Sequence, residues 1–353
     1  CALPISGRPV LADILTVDAI VIGAGSAGLA AAVRLSAAGA KVAVVEQAPR
    51  LGGRTTSFVD RDSGERVDNG QHVLFGCYRE TYAFLAETGA AALAPLERTL
   101  SLTIAGGTDG RRHTLTCPDL PSPWHLAVGL MLWDAVPFAE RLATRHLEAL
   151  FDTVRVEGAE AASLRVEPSM TVSAWLDAQH QGPELRRWLW HPLVYAALNQ
   201  GPDEAAARPF VRVLGEMFGP RPEDSAMGLP VVPLDDLIAT PAVQLIESRG
   251  GTLLSRRPAK IVTGNDRLQH VKVGDTIVRA GVVVSAVPWH AFHALWDEMP
   301  PRALAEISAN ATAMKSSPIV TVNLWFDRDV MGGHRVIGLA DGTDRKSTRL
   351  NSS

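Results

Sequence analysis

Cysteine is scarce in this sequence: three occur in 353 residues, and only Cys77 and Cys117 lie away from the ends. Two cysteines without a pairing pattern argue against a disulfide-stapled scaffold, and they fit a reducing compartment and no metal site. An excess of charge of one sign is also missing, because 34 Lys and Arg stand against 38 Asp and Glu, a net charge of −4. This balance gives no electrostatic footprint for nucleic acid.

Long hydrophobic runs are absent as well. The most apolar stretch, residues 123–138, is too short to span a bilayer, and Asp134 and Pro137 interrupt it. No signal peptide is visible. Hydrophobic content of 46% and charged content of 20% are nevertheless those of a folded globular protein, and the length predicts about two lobes.

Both ends of the chain look foreign to the rest. Residues 344–353 read like a translated sequencing adapter, residues 1–6 resemble the matching adapter, and the chain does not begin with Met. We therefore expect residues 7–343 to be an internal fragment of a longer protein, and we exclude both ends from fold reasoning.

A glycine motif between two apolar runs is the most informative feature that is present. A short strand, Ala19–Ile22, leads into Gly23-Ala24-Gly25-Ser26-Ala27-Gly28 and a helix over about Ser26 to Ala38, which Gly39 ends. The first glycine permits a sharp turn, the second lets a pyrophosphate approach the backbone, and the third lets the helix pack on the strand. The helix N-terminus would face the phosphates. The motif predicts a dinucleotide site.

The next segments indicate which dinucleotide. A second strand, Lys41–Glu46, ends on an acid 23 positions after Gly23 (46 − 23), where a carboxylate is expected to bind a ribose hydroxyl. Leu51-Gly52-Gly53-Arg54 follows, with a tight backbone path and a fixed positive fork for the pyrophosphate. A glycine pair and arginine after the ribose acid resemble the FAD-dependent amine oxidases and phytoene-type desaturases.

That resemblance implies an α/β fold: a Rossmann-like FAD-binding domain with an inserted α+β substrate domain. We expect the FAD-binding domain at residues 17–76 and 230–290. The substrate domain is expected at residues 77–229, mostly helical, and at residues 291–343. Strands are predicted at Leu100–Ala105 and His113–Cys117 around a turn at residues 106–110, and the apolar segments Gly281–Pro288 and Ser317–Phe326 are also predicted strands.

Further stretches resemble a narrower family, the hydroxysqualene dehydroxylases, also called squalene-associated FAD-dependent desaturases. These stretches are Asp68–Arg79, Trp190–Asn199 with the alanines at 205–207, Leu229-Pro230 with Leu234, and Ser317–Trp325. The resemblance covers nearly all of residues 17–340. It implies reductive dehydroxylation of hydroxysqualene to squalene in hopanoid synthesis, with reduced FAD as reductant and a long isoprenoid lipid as substrate.

The residues expected to contact FAD are taken from the glycine motifs and from the family resemblance. They are Gly23, Gly25, Ser26, Ala27, Gly28, Glu46, Gly52, Gly53, Arg54, Gly70, Gln71, His72, Ile261, Ala286 and Pro288. The leaving water needs a proton donor, and the side chains of His72, Tyr195 and His191 are candidates that the sequence does not rank. The developing cation needs an apolar tunnel, for which aromatic residues at 124, 133, 175, 188, 190 and 195 are candidates, with plain core packing as the alternative.

Electron supply and location follow from the same interpretation. No second glycine-rich fingerprint is present, so a flavin reductase or freely diffusing NADPH is expected to reduce the flavin. An insoluble isoprenoid substrate predicts a cytoplasmic protein attached peripherally to the cytoplasmic membrane face. The stretch from Leu126 to Phe138 is the expected contact, and a buried core helix is the alternative.

Three alternatives stay open. A carotenoid-type desaturase would share the fold and FAD, and so would an amine oxidase, whose aromatic cage and lysine the sequence does not clearly show. A non-catalytic isoprenoid-binding escort protein would not need Arg54. The acidic Gly-Asp turn that completes the flavin site in this family has no match before Arg345, so we expect this chain alone to hold FAD poorly.

Overall fold

The computed structural model describes residues 13–106 and 110–340. Both adapter-like ends and the centre of the predicted turn at 106–110 lie outside the described residues. The chain divides into two compact units. Of the described residues, unit 1 holds 13–70, 84–93 and 231–316, and unit 2 holds 71–83, 94–106, 110–230 and 317–340.

Strands and helices are numbered along the chain. The strands are β1 Asp13–Ile22, β2 Val42–Glu46, β3 Ser57–Val59, β4 Arg66–Asp68, β5 Leu74–Phe75, β6 Ser101–Gly106, β7 Arg111–Thr116, β8 Met227–Gly228, β9 Thr252–Ser255, β10 Ala259–Gly264, β11 Arg267–Val273, β12 Thr276–Ser285 and β13 Ile337–Leu339. The helices are α1 Ser26–Ala37, α2 Arg79–Glu87, α3 Trp124–Leu132, α4 Phe138–Leu142, α5 Glu148–Leu164, α6 Val172–Ala178, α7 Pro183–Leu185, α8 His191–Leu198, α9 Ala207–Met217, α10 Leu234–Leu237, α11 Ala239–Ser248 and α12 Ala305–Ala313.

Unit 1 is built on a six-stranded sheet in the order β10-β11-β12-β1-β2-β9. The strands β12, β1, β2 and β9 run parallel, and β10 and β11 join as an antiparallel meander. Val42 to Val45 are fully buried, as expected for an inner strand of a parallel sheet. The parallel strands therefore end at one edge of the sheet, where nucleotide sites of this architecture form.

A buried carboxylate ties the β3–β4 hairpin to the start of α10 within unit 1. Asp68 is only 7% exposed. Its Oδ1 accepts hydrogen bonds from Ser57 Oγ at 2.7 Å and from the Leu234 backbone N–H at 2.9 Å. Next to it, the Arg66 guanidinium bridges Asp235 and Asp236, with contacts of 2.6 Å to each. The hairpin that precedes Asn69 and Gly70 is thus fixed to the helix by charge-assisted hydrogen bonds.

Unit 2 is mostly helical around an aromatic core. It also holds the sheet β13-β6-β7 and the short β5–β8 ladder. Trp175 and Trp190 pack edge-on against Phe210, with ring centroids 6.2 and 6.4 Å away. These rings belong to a larger buried apolar cluster, whose burial stabilises the unit. In the described part of the chain, no helix combines the length and apolar character needed to cross a bilayer.

The structure differs from the sequence interpretation at several strands. β1 begins at Asp13, six residues before the predicted start at Ala19, and β12 begins at Thr276, five residues before the predicted start at Gly281. β12 lies in a mixed sheet, and Val282 is 52% exposed, so it is not the fully buried strand that its composition suggested. Residues 317–326 form no strand ladder in the part of the chain that the structure describes, although their apolar content favours one.

The division into units also departs from the expected domain limits. Residues 291–316, expected in the substrate domain, cluster with unit 1, and so do residues 84–93. Residues 234–248 form two helices, α10 and α11, because Ile238 interrupts the segment. Assignment of FAD binding to unit 1 and substrate binding to unit 2 stays a prediction.

Replacing the buried carboxylate tests its role in unit 1. We expect Asp68→Ala to lower the free energy of unfolding by about 2 kcal/mol, because it leaves two buried donors without an acceptor. The measurement is the urea midpoint of unfolding, and the exposed Asp62→Ala serves as a matched control. Equal midpoints for the two variants would contradict this assignment.

Candidate cofactor site

The end of β1 turns sharply at Gly23. This residue has φ +106°, a conformation that favours glycine, and its N–H donates to the Val45 carbonyl at 2.8 Å. A Cβ at Gly23 would lie 2.9 Å from the Ala286 carbonyl oxygen. The Ala286 N–H in turn donates to the Ile22 carbonyl at 2.8 Å, so the ends of β1 and β12 meet beside the loop.

Helix α1 starts directly after this turn and packs closely on it. A Cβ at Gly28 would lie 1.9 Å from the Gly23 carbonyl oxygen, so only glycine allows this approach. Gly25 is the N-cap residue, makes no side-chain cap, and is followed by a first turn without an acidic residue. The first N–H groups of a helix have no intrahelical acceptor, so this end of α1 is suited to an anion.

Gly25 differs from the neighbouring glycines, because the protein itself leaves room beside it. A Cβ there would come no closer than 4.0 Å to Gly52 or Gly53, and its φ of −77° suits any residue. Packing within the protein therefore does not require glycine at this position. The space is what close approach of a pyrophosphate to the backbone needs, and the loop fits that group.

Glu46 lies at the end of β2, as the sequence predicted. Backbone N–H groups fix its carboxylate in the folded protein. Oε2 accepts from the Ala24 N–H and Oε1 from the Ala48 N–H, each at 2.8 Å. Each oxygen keeps a second lone pair for another donor. A ribose hydroxyl can thus be bound here, and the same side chain also braces the glycine loop.

The second glycine turn lies against the first. Gly25 and Gly52 form a β-bridge, and the Gly52 N–H donates to the Ala24 carbonyl at 2.8 Å. Gly52 and Gly53 have φ values of +88° and +61°, and a Cβ at Gly52 would lie 2.6 Å from the Thr55 carbonyl oxygen. The two turns therefore form one cradle at the carboxyl edge of the sheet.

Hydroxyl contacts and a free cation complete this cradle. Ser26 Oγ lies 2.9 Å from Thr55 Oγ1, which donates to the Gly52 carbonyl at 2.8 Å. Arg54 is exposed, and within the described ranges no side chain or carbonyl pairs with its guanidinium. The sequence interpretation missed Thr55, and the Thr-Thr that follows Arg54 was the available signal. Arg54 is free to bind an anion.

Two other expected contacts lie elsewhere in unit 1. Ile261 is 4% exposed, and its side chain belongs to the core cluster with Val271 and Val278. The Asp297 N–H donates to the Ile261 carbonyl at 3.0 Å. Pro288 is exposed and begins a short 3-10 turn. Contact of either residue with a cofactor stays a prediction, and burial leaves little of the Ile261 side chain for it.

The remaining expected residues fall near or beyond the boundary of the units. Gly70 closes the first segment of unit 1, whereas Gln71 and His72 belong to unit 2. His191 and Tyr195 are partly buried and four residues apart on α8 of unit 2, so they share one helix face. Asn199, in a left-handed conformation, caps the C-terminus of α8, and its Nδ2 donates to the Ser317 carbonyl at 3.2 Å.

The tryptophans expected to line a tunnel fall into two groups, one buried and one exposed. Residues 133, 175, 188 and 190 are at most 6% exposed and lie in the core cluster of unit 2, which supports the core-packing alternative. Trp124 is 64% exposed. Trp190 Nε1 donates to Gln181 Oε1 at 3.0 Å, so its polar edge is also used within the core.

Comparison with known proteins places the chain among flavoenzymes. The family model described as flavin containing amine oxidoreductase matches residues 26–350. Hydroxysqualene dehydroxylase from Sinorhizobium fredii is 28% identical over 336 residues, which cover 91% of this chain and 71% of that protein. The probable zeta-carotene desaturase of Synechococcus elongatus is 28% identical over 322 residues, or 87% of this chain. The chain spans 65% of the length of that relative.

Solved structures share the fold. An oxidoreductase from Methanosarcina mazei superposes with a TM-score of 0.61 at 18% identity, covering 85% of this chain and 66% of that one. A putrescine oxidase redesigned in its cofactor binding gives 0.59 at 20% identity, covering 84% and 63%. The family match and the glycine cradle agree: the chain belongs to the flavin-containing amine oxidoreductase family, and its cofactor is FAD.

Proposed function

We propose that this protein is an FAD-dependent oxidoreductase that reduces hydroxysqualene to squalene. The observation that supports FAD binding most directly is the cradle of unit 1. The space beside Gly25, the N-terminus of α1 and the guanidinium of Arg54 all suit a pyrophosphate there. Similarity to a hydroxysqualene dehydroxylase over 91% of the chain supports this choice of substrate.

The residues that would hold FAD have separate roles. The backbone from Gly23 to Gly28 would receive the pyrophosphate, Arg54 would neutralise it, and Glu46 would accept a ribose hydroxyl. Once bound and reduced, FAD supplies the hydride. The net reaction breaks one C–O bond, forms one C–H bond and releases water, with the flavin oxidised.

The chain itself must protonate the leaving hydroxyl. Tyr195 and His191 are the stronger candidates, because they occupy one face of α8 in the helical unit. His72 stays a third candidate. A positioned proton donor of this kind contributes roughly 100-fold or more to the rate.

A carotenoid desaturase is the second candidate function. The zeta-carotene desaturase of Synechococcus elongatus matches at the same 28% identity, over 87% of this chain. The two functions differ in direction, since a desaturase removes hydride from its substrate and leaves a reduced flavin. The stretches at 68–79 and 190–199 favour the dehydroxylase, by resemblance.

We also propose a cytoplasmic location, a flavin reductase or NADPH as electron source, and peripheral membrane contact. At the expected contact in unit 2, Leu132 is 75% exposed and Phe138 is 57% exposed. Trp124, two residues before that contact, is 64% exposed. Leu126, at the start of the expected contact, is only 8% exposed and belongs to the core. The proposed contact is therefore narrower than the sequence interpretation suggested.

Product analysis tests the proposed reaction. With FAD reduced under argon, we expect squalene to form from hydroxysqualene, and Tyr195→Phe or His191→Gln to slow it about 100-fold without loss of flavin. The products are measured by gas chromatography. In a parallel assay with oxidised FAD, a desaturase would transfer hydride from zeta-carotene to that FAD. Desaturation there, with no squalene in the first assay, would establish the second candidate function instead.

Two glycine variants separate folding from cofactor binding. We expect Gly25→Ala to fold normally but bind FAD at least about tenfold more weakly, because its methyl group occupies only ligand space. Gly28→Ala should lower the free energy of unfolding by about 1 kcal/mol or more, since its Cβ overlaps the Gly23 carbonyl. Flavin fluorescence titration and thermal unfolding measure the two effects.

Gly281→Ala is the control for this pair, because its Cβ would lie 3.4 Å from the Asp18 carbonyl oxygen, in ordinary contact. Unchanged flavin affinity in Gly25→Ala would show that the pyrophosphate does not approach this loop.

One charge in the exposed apolar patch tests membrane contact. We expect Leu132→Asp to reduce partitioning onto anionic vesicles about tenfold, since a leucine side chain gains roughly 1.5 kcal/mol or more on burial. Val156→Asp is the matched control, because Val156 is 74% exposed on α5. Equal co-sedimentation of the two variants would reject the patch around Leu132.

A further inference from the structure

Two exposed histidines from distant parts of the sequence meet on the surface of unit 2. The ring centroids of His146 and His180 are 4.8 Å apart, with an angle of 61° between the planes. His146 lies in the 3-10 helix Ala143–Leu147, and His180 lies in the turn after α6. Both side chains are exposed, and neither belongs to the proposed flavin chemistry.

The backbone under this pair is firmly held. Gln181, only 3% exposed, donates from Nε2 to the Ala143 carbonyl at 3.2 Å and to the Gln179 carbonyl at 2.7 Å. Its Oε1 accepts from Trp190 Nε1 at 3.0 Å. A single buried amide thus joins the turn that carries His180 to the helix that carries His146.

His180 also has an unusual backbone conformation. Its φ is +53°, in the left-handed region that residues other than glycine seldom adopt. Its N–H donates to the Asp177 carbonyl at 2.9 Å, which closes the end of α6. The turn therefore directs the imidazole toward His146 at a position where glycine or asparagine would serve the backbone better.

We infer that His146 and His180 form a two-histidine site for a borderline divalent metal ion, Cu²⁺, Ni²⁺ or Zn²⁺. Imidazole nitrogens bind such ions at about 2.1 Å, so two rings already in contact reach one ion by side-chain rotation alone. Among the described residues, no group of three or more His, Cys, Asp or Glu could hold a metal ion, so water completes the coordination.

Occupancy would have a structural consequence. The ion would cross-link the 3-10 helix at 143–147 to the turn after α6, and a ligand that binds only the folded state raises stability by mass action. Magnesium, which prefers oxygen ligands, should not bind here. The site is independent of the proposed reaction.

The experiment is Ni²⁺ titration of the untagged protein by isothermal calorimetry, with thermal unfolding as a second readout. We expect one ion per chain, a raised unfolding temperature that EDTA reverses, and no effect of Mg²⁺. His180→Asn, which keeps a residue suited to positive φ, and His146→Gln should each weaken binding at least tenfold. His290→Gln, which removes an exposed histidine of unit 1, should leave the affinity unchanged.

Absence of Ni²⁺ binding to the parent protein would overturn the inference. Parent-like affinity in both His180→Asn and His146→Gln would do so too, since the ion would then bind elsewhere. Circular dichroism of each variant establishes that the fold is kept.

Discussion

The close contact between Gly28 and the carbonyl of Gly23 is the constraint on which the glycine cradle of unit 1 depends. It brings the first turn of α1 against the end of β1, and it directs the helix N-terminus over the edge of the sheet. Ala286, at the end of β12, closes the same loop from the other side. The neighbouring position, Gly25, is the one glycine of the loop that the surrounding protein does not require. Packing requires Gly23 and Gly28, whereas the space beside Gly25 suits the proposed pyrophosphate.

Local pattern was sufficient to predict this part of the fold. The order of strand, glycine loop, helix, strand and acid gave α1 and β2 within about one residue, because apolar runs and glycines at fixed spacing allow few alternatives. The sequence did not predict that β1 begins at Asp13. Polar residues, Asp13, Thr16 and Asp18, interrupt the early part of this strand, so it forms no continuous apolar run.

The predictions that were wrong share one cause: whether a residue lies in a strand or in a core depends on the residues that pair with it or pack against it. Residues 317–326 have a composition that favours a strand, yet Ile319 and Val322 are 67% and 71% exposed and no ladder forms there in the described chain. Trp175 and Trp190 are aromatic residues of the kind that could line a tunnel, yet Phe210 packs against both and Gln181 accepts a hydrogen bond from Trp190, so both lie in a core. Side-chain chemistry is local information, whereas pairing and burial depend on residues far away in the sequence.

Glu46 has a consequence beyond its contact with the loop. Two backbone N–H groups fix its carboxylate, so folding has already restricted the side-chain torsions that a free glutamate would lose when it binds a hydroxyl. If Glu46 binds the ribose as proposed, this carboxylate is already preorganised, and the entropic penalty of binding there is correspondingly small. A change in the shape of the glycine loop would then move the Ala24 N–H that holds the carboxylate, and so alter affinity for the adenosine part of the proposed cofactor.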